Sequence, residues 1–103
     1  MLFDTHAHYE DPRFDDDRDE LLSSMPSRGV SYIVNIGCDA RGIPLALAMA
    51  ERHPHVFAAV GIHPHEAGNA AEADFAAAQA ALAHEKVLAV GEIGLDYHYD
   101  FAP

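Results

Sequence analysis

Leu2-Phe3-Asp4-Thr5-His6-Ala7-His8 opens the chain with an apolar start that runs directly into two histidines two residues apart. In an extended strand, residues i and i+2 share a face. His6 and His8 therefore approach one cation from the same side. Asp4, on that face as well, is placed to receive a ring N–H and orient it. Two ordinary, partly buried histidines would give the same local pattern. What favours a metal site is the rest of the chain, where apolar strands recur and each ends in polar, reactive residues.

The segment from Tyr9 to Arg13, with Pro12, reads as a loop at the histidine end of the first strand. Phe14, Arg18, Leu21, Leu22 and Met25 follow at helical spacing, with Asp15, Asp16 and Asp17 where the helix dipole favours negative charge. That acidic run reads as a solvated helix start, and Pro26 should kink or stop the helix before Gly29. A second strand, Ser31 to Ile36, is almost continuously apolar apart from Asn35, as suits a parallel strand covered on both faces. Asp39 is the expected cap of a second helix running from about Gly42 or Pro44 to Arg52. His53 and His55 flank Pro54 in a helix-to-strand turn at the opposite end from His6 and His8, and read as surface residues.

The third strand, Val56 to Ile62, delivers His63-Pro64-His65-Glu66 to the same end as the first histidine pair. His63 follows the strand directly and reads as functional; His65 is open between function and structure. An alanine-rich helix over about Ala71 to His84 should bury a narrow stripe of Phe75, Ala78 and Leu82. The fourth strand, Val87 to Val90, leads into Gly91-Glu92-Ile93-Gly94-Leu95-Asp96-Tyr97-His98. A carboxylate closing an apolar strand is costly to bury unless it is paired or binds a metal, and metal ligation is the stronger reading of Glu92. The glycines on either side permit tight turns and close approach. Asp96 either contacts substrate, holds a neighbouring ligand or serves the turn; Tyr97 and His98 read as rim residues.

Four strand patterns alternating with three helix patterns point to parallel β/α units with right-handed crossovers. An open doubly wound sheet fits the local pattern, but no Gly-rich nucleotide loop follows the first strand and polar residues recur at successive strand ends. The expectation is an α/β chain forming the N-terminal half of a TIM (β/α)8 barrel, whose full length is typically ~250 residues. Neighbouring strands lie ~4.8 Å apart, so a flat sheet would leave strands one and four roughly 14 Å apart. Only curvature can bring Glu92 to the histidine pair, and weak cation binding is expected of the chain by itself.

The chain has 103 residues, half of them hydrophobic, which suits one globular domain. A formal net charge of −11 argues against gripping nucleic acid through a basic surface. An anionic substrate would need bound cations. Cys38 is the single cysteine, which excludes an internal disulfide and fits a reducing compartment. With no basic leader after Met1 and no apolar run near the ~20 residues of a membrane span, a cytoplasmic location and no membrane partner are expected.

Phe3-Asp4-Thr5-His6-Ala7-His8, Gly61-Ile62-His63-Pro64-His65 and Gly91-Glu92-Ile93-Gly94-Leu95-Asp96-Tyr97, in that order, resemble the N-terminal half of the TatD family of metal-dependent deoxyribonucleases, within the amidohydrolase superfamily. The resemblance spans essentially the whole chain, so that 1–103 would be an incomplete barrel domain holding the first four strands. It implies that His6 and His8 are ligands of one divalent ion, and that Glu92 is a catalytic carboxylate bridging two. It implies that His63 lines the substrate pocket, where Asp96 is the second candidate contact. The family's other ligands, two histidines and an aspartate on later strands, would lie beyond Pro103. Hydrolysis of DNA phosphodiester bonds as an exonuclease is thus expected of the complete barrel, with DNA as its substrate. The alternative is an inactive truncated half-barrel, or a subunit that needs a partner.

The resemblance also implies two divalent cations as cofactors, Mg, Mn or Zn; mixed imidazole and carboxylate ligands suit Zn, Mn, Fe or Ni more than Mg. As edges of a half-barrel, strands one and four, with inner-face side chains such as Ile33, Val60 and Val90, are expected to promote self-association.

Overall fold

In the computed structural model, which describes residues 1–99, four parallel strands form one sheet in chain order: β1 (Leu2–Ala7), β2 (Val30–Gly37), β3 (Val56–Val60) and β4 (Val87–Val90). The connections carry helices α1 (Arg18–Ser24), α2 (Gly42–Arg52) and α3 (Glu72–Ala81). A doubly wound sheet reverses its strand order at a switch point. Here the order β1-β2-β3-β4 runs on without reversal, as in a barrel segment. No helix among the described residues is long and apolar enough to cross a membrane.

The helices cover one face of the sheet. Ala7, Leu22, Ile33, Met49 and Val56 form one buried cluster, and Ile43, Val60, Ile62 and Ala81 a second. Helix α2 bridges the two because Ile43, Ala46 and Ala50 recur at helical spacing and are all buried. The helix begins where Asp39 Oδ1 accepts the Gly42 N–H at 2.6 Å, the cap expected from the sequence. Gly37, at the end of β2, is required by this packing, since a Cβ there would lie 2.8 Å from the Gly42 carbonyl oxygen and the Ile43 Cα. Helix α1 is followed by the 3₁₀ turn Pro26–Arg28, and Gly29 takes φ 96°, a left-handed value suited to glycine.

Several expectations are corrected by the tertiary packing. Helix α1 starts at Arg18 rather than near Phe14, because Pro12–Phe14 winds as a 3₁₀ turn and Asp15 is drawn to Arg18 and Arg41 at 2.6 and 2.9 Å. Phe75 and Leu82 are exposed; α3 instead packs through Ala78 and Ala81, whose small side chains let it sit close to Ile43 and Val60. Ile33 and Val60 do not line an open inner face but lie under the helices, while Val90 is exposed together with Leu2, Phe3, Tyr32 and Leu88. Because Tyr32 alternates with Ile33, it stands on the face opposite the helices, edge-on to Phe3 and 6.2 Å from Phe57.

Nor are His53 and His55 surface residues. His53 is buried with Nε2 3.1 Å from Asp19 Oδ1, and the His55 ring reaches the Leu22 carbonyl at 2.9 Å, so both tie α1 to the start of β3. The His53 hydrogen bond, with Arg52 assisting, holds the Asp19 carboxyl below its ordinary value of 3.8. A depressed folded-state value stabilises the fold above the ordinary value, and that contribution disappears as pH falls through the folded value. Asp19→Asn should therefore lower stability at neutral pH and flatten the acid limb below about pH 4. Urea midpoints followed by circular dichroism across pH would check this; parallel acid limbs for both proteins would contradict it.

Candidate metal centre

Ala7 is buried in the helix-side cluster, so its neighbours His6 and His8 project from the other face of β1. Their Nε2 atoms lie 3.2 Å apart. Glu92, two residues beyond β4, brings Oε2 to 3.1 Å from His6 Nε2 and 3.5 Å from His8 Nε2. Its other oxygen, Oε1, is 3.3 Å from His63 Nε2. The backbone ladder places these segments: Gly61 N–H donates to the Gly37 carbonyl, His63 N–H to that of Cys38 and Gly91 N–H to that of Val60. Strand-like pairing thus continues past the formal strand ends and gathers three of the four C-termini at one place.

His6, His8 and Glu92 each offer one ligand atom, and those atoms all lie within 4.8 Å of one another. Two imidazole nitrogens and a carboxylate oxygen form a donor set that fits a divalent transition metal or zinc. The rings differ in what their second nitrogen does. His63 Nδ1 accepts the His65 N–H at 3.0 Å, so the neutral ring carries its proton on Nε2, the nitrogen 3.3 Å from Glu92 Oε1. His8 Nδ1 faces Glu10 Oε1 at 3.0 Å, the opposite arrangement.

Of the other residues singled out in the sequence, Asp4 does not meet an imidazole ring nitrogen; its Oδ1 accepts the His6 backbone N–H at 3.2 Å. Asp96 serves the turn, one of its expected roles, and also faces His65. Oδ1 accepts the N–H groups of His98 and Tyr99, which hold its carboxyl below the usual range, and Oδ2 lies 2.7 Å from His65 Nε2. Tyr97 and His98 are exposed, as rim residues would be. The Cys38 thiol is pushed up to about 12, first by burial and then by Asp39, Glu10, Glu92 and Glu66, so it stays protonated and is a poor ligand.

Sequence reasoning missed Glu10 and undervalued Asn35. Glu10 is buried, and Asn35 is fully so. The signal was present: Glu10 follows His8 by the same two-residue step that relates His6 to His8, and Asn35 is the lone polar interruption of the second strand. Gly61 was also passed over. A Cβ there would meet Gly91 C and Ile93 Cγ2 at 3.0 Å and the Glu92 carbonyl oxygen at 3.1 Å, so the glycine lets the segment carrying Glu92 lie against β3. Gly61→Ala should displace Glu92 and weaken divalent-cation affinity by about tenfold, a loss of the order seen when a ligand's support is removed. Calorimetric titration with zinc would measure it, and an unchanged affinity would show that the segment adjusts without moving the carboxylate.

A family model described as TatD related DNase matches residues 3–103. Among curated relatives, the uncharacterized metal-dependent hydrolase YabD of Bacillus subtilis (strain 168) is 43% identical over 103 residues, covering 100% of this chain and 40% of that protein. The 3'-5' ssDNA/RNA exonuclease TatD of Cronobacter sakazakii is 31% identical over 101 residues, covering 98% of this chain and 38% of its own length. The crystal structure of YJJV, a TatD homolog from Escherichia coli K12, superposes with a TM-score of 0.83 at 35% identity, over 96% of this chain and 39% of that one. The chain therefore spans about two fifths of the length of these relatives.

Proposed function

The chain belongs to the TatD related DNase family, and from that premise we propose that residues 1–103 supply the first four strands of a (β/α)8 barrel that hydrolyses phosphodiester bonds with divalent metal, acting as an exonuclease on DNA. One observation carries the reading: His6, His8 and Glu92, far apart in sequence, converge with ligand atoms within 4.8 Å. His6, His8 and Glu92 would hold the metal, and Glu92 is the residue that would also reach a second ion. Bound divalent ions supply Lewis acidity toward a phosphoryl oxygen and lower the pKa of water.

The residues of this chain do the positioning. His63 Nε2 lies 3.3 Å from Glu92 Oε1 and would steady the carboxylate, while Asp96 Oδ2 lies 2.7 Å from Nε2 of His65, whose ring packs edge-on to that of His63 at 4.3 Å. In this reading His63 and Asp96 border the nucleic acid. A chain of net charge −11 offers little attraction to phosphate, so contact through bound cations is the natural way to hold the substrate. The relative named as an exonuclease of single-stranded DNA and RNA makes unpaired strands of either polymer the first substrates to try.

The test is release of mononucleotides from 3'-labelled single-stranded DNA and RNA by the complete protein, with magnesium, manganese or zinc. Release that stops with chelator, and that is lost in His6→Ala and Glu92→Ala while circular dichroism is unchanged, is the expected outcome. Failure to release nucleotide from either polymer with any of the metals would overturn the proposal, as would full rates in both variants.

A further inference from the structure

Glu10 is 9% exposed, and its carboxylate is enclosed by partners that all fix its position. Oε1 lies 3.0 Å from His8 Nδ1 and 3.4 Å from Asn35 Nδ2. The Asn35 amide has only one sensible orientation, because its Oδ1 accepts the Tyr9 N–H at 2.7 Å and Nδ2 is left to face Glu10. The main chain is held as firmly. The Glu10 carbonyl accepts Arg41 Nη1 at 2.6 Å and Arg18 Nη2 at 3.3 Å; Arg18 also donates to the carbonyls of Tyr9 and Asp11, and Asp15 Oδ1 joins the two guanidinium groups. Even the first residue of α2 is a glycine whose Cβ would come within 3.3 Å of Glu10 Cγ.

Burying a carboxylate is costly, and a glutamate with only a structural task is seldom given such a seat. The return here is control of one imidazole. The oxygen facing the ring, Oε1, also accepts from the Asn35 amide, so it serves as an acceptor and the ring nitrogen facing it carries the proton. With the proton on Nδ1, the Nε2 lone pair of His8 is left pointing at His6 Nε2 and Glu92 Oε2. We propose that Glu10, seated by Asn35, Arg18 and Arg41, is a positioning residue that holds His8 as its Nδ1–H tautomer and so keeps Nε2 available as a donor in the metal centre. This rests on the cation site proposed above.

The experiment separates the two ideas. In metal-free protein with 15N-labelled histidine, long-range 15N–1H correlation reads the tautomer of each ring, and cobalt(II) titration followed by absorption reads cation affinity. Wild type is expected to show His8 protonated at Nδ1. Glu10→Ala should shift the ring toward Nε2–H and weaken cobalt(II) binding by about 10–100-fold, and Glu10→Gln, which keeps an accepting oxygen, should restore much of both. A wild-type His8 protonated at Nε2 overturns the proposal whether or not the variants fold. So does a folded Glu10→Ala that keeps the Nδ1–H form. If the tautomer responds to Glu10 but wild type binds no cobalt, the positioning role stands and the cation site falls. If cobalt binding depends on His6 and Glu92 while the His8 tautomer ignores Glu10, the site stands and the positioning role falls.

Discussion

In the complete protein, Glu92→Gln is expected to weaken divalent-cation binding by at least about 100-fold, or roughly 2.7 kcal/mol, more than the loss of a supporting residue would cause. The substitution keeps the volume and an accepting oxygen, but removes the charge that sits 3.1 Å from His6 Nε2 and 3.5 Å from His8 Nε2. The fold should survive because the Glu92 side chain is one-third exposed and belongs to no buried cluster. Calorimetric titration with zinc and manganese, alongside far-ultraviolet circular dichroism, gives both readings. An affinity within a few-fold of wild type would remove Glu92 from the cation site. His6→Ala should produce a similar loss, since among the described residues the set has three members, His6, His8 and Glu92, each offering one ligand atom.

Leu22→Ala should be the most destabilising of the substitutions considered. Leu22 is fully buried between Ile33, Met49 and Val56, and it is the one buried residue of α1. Its carbonyl also receives the His55 ring at 2.9 Å, so the same turn of helix supplies both the apolar and the polar attachment to the sheet. Truncation of such a leucine removes transfer energy and leaves a cavity, together about 3–5 kcal/mol. For a domain of this size each kcal/mol is worth about 4–8 °C in melting temperature, so a fall of at least about 12 °C is expected. Thermal melts by circular dichroism would show it. A shift under about 3 °C would mean that α1 contributes little to the cooperative unit.

The sequence by itself determined the order of elements and the residues that end up together. Apolar runs of strand length alternating with helical patterns were enough for β1 through β4, because a parallel strand covered by helices needs little beyond continuous apolar character. The two-residue step from His6 to His8, and a carboxylate placed just past an apolar strand, were enough to single out three residues whose side chains converge, because residues two apart on a strand share a face. Pro26 and Gly29 likewise ended α1 for local reasons.

Tertiary structure alone decided the rest. A flat sheet would have kept strands one and four roughly 14 Å apart, yet Glu92 Oε2 lies 3.1 Å from His6 Nε2, since sheet curvature and the ladder running on past β3 and β4 depend on all strands at once. The rotation of α3 was equally hidden: Phe75 and Leu82 have the hydrophobicity to be buried, but the close seat against Ile43 and Val60 admits only Ala78 and Ala81. His53 and His55 looked like turn residues until Asp19 and the Leu22 carbonyl arrived from a helix more than thirty positions away. The partnership of Glu10 with Asn35 was beyond local reading for the same reason. Periodicity reports which face a side chain occupies, whereas the cost of burying a carboxylate is met by donors that only the folded chain brings within reach.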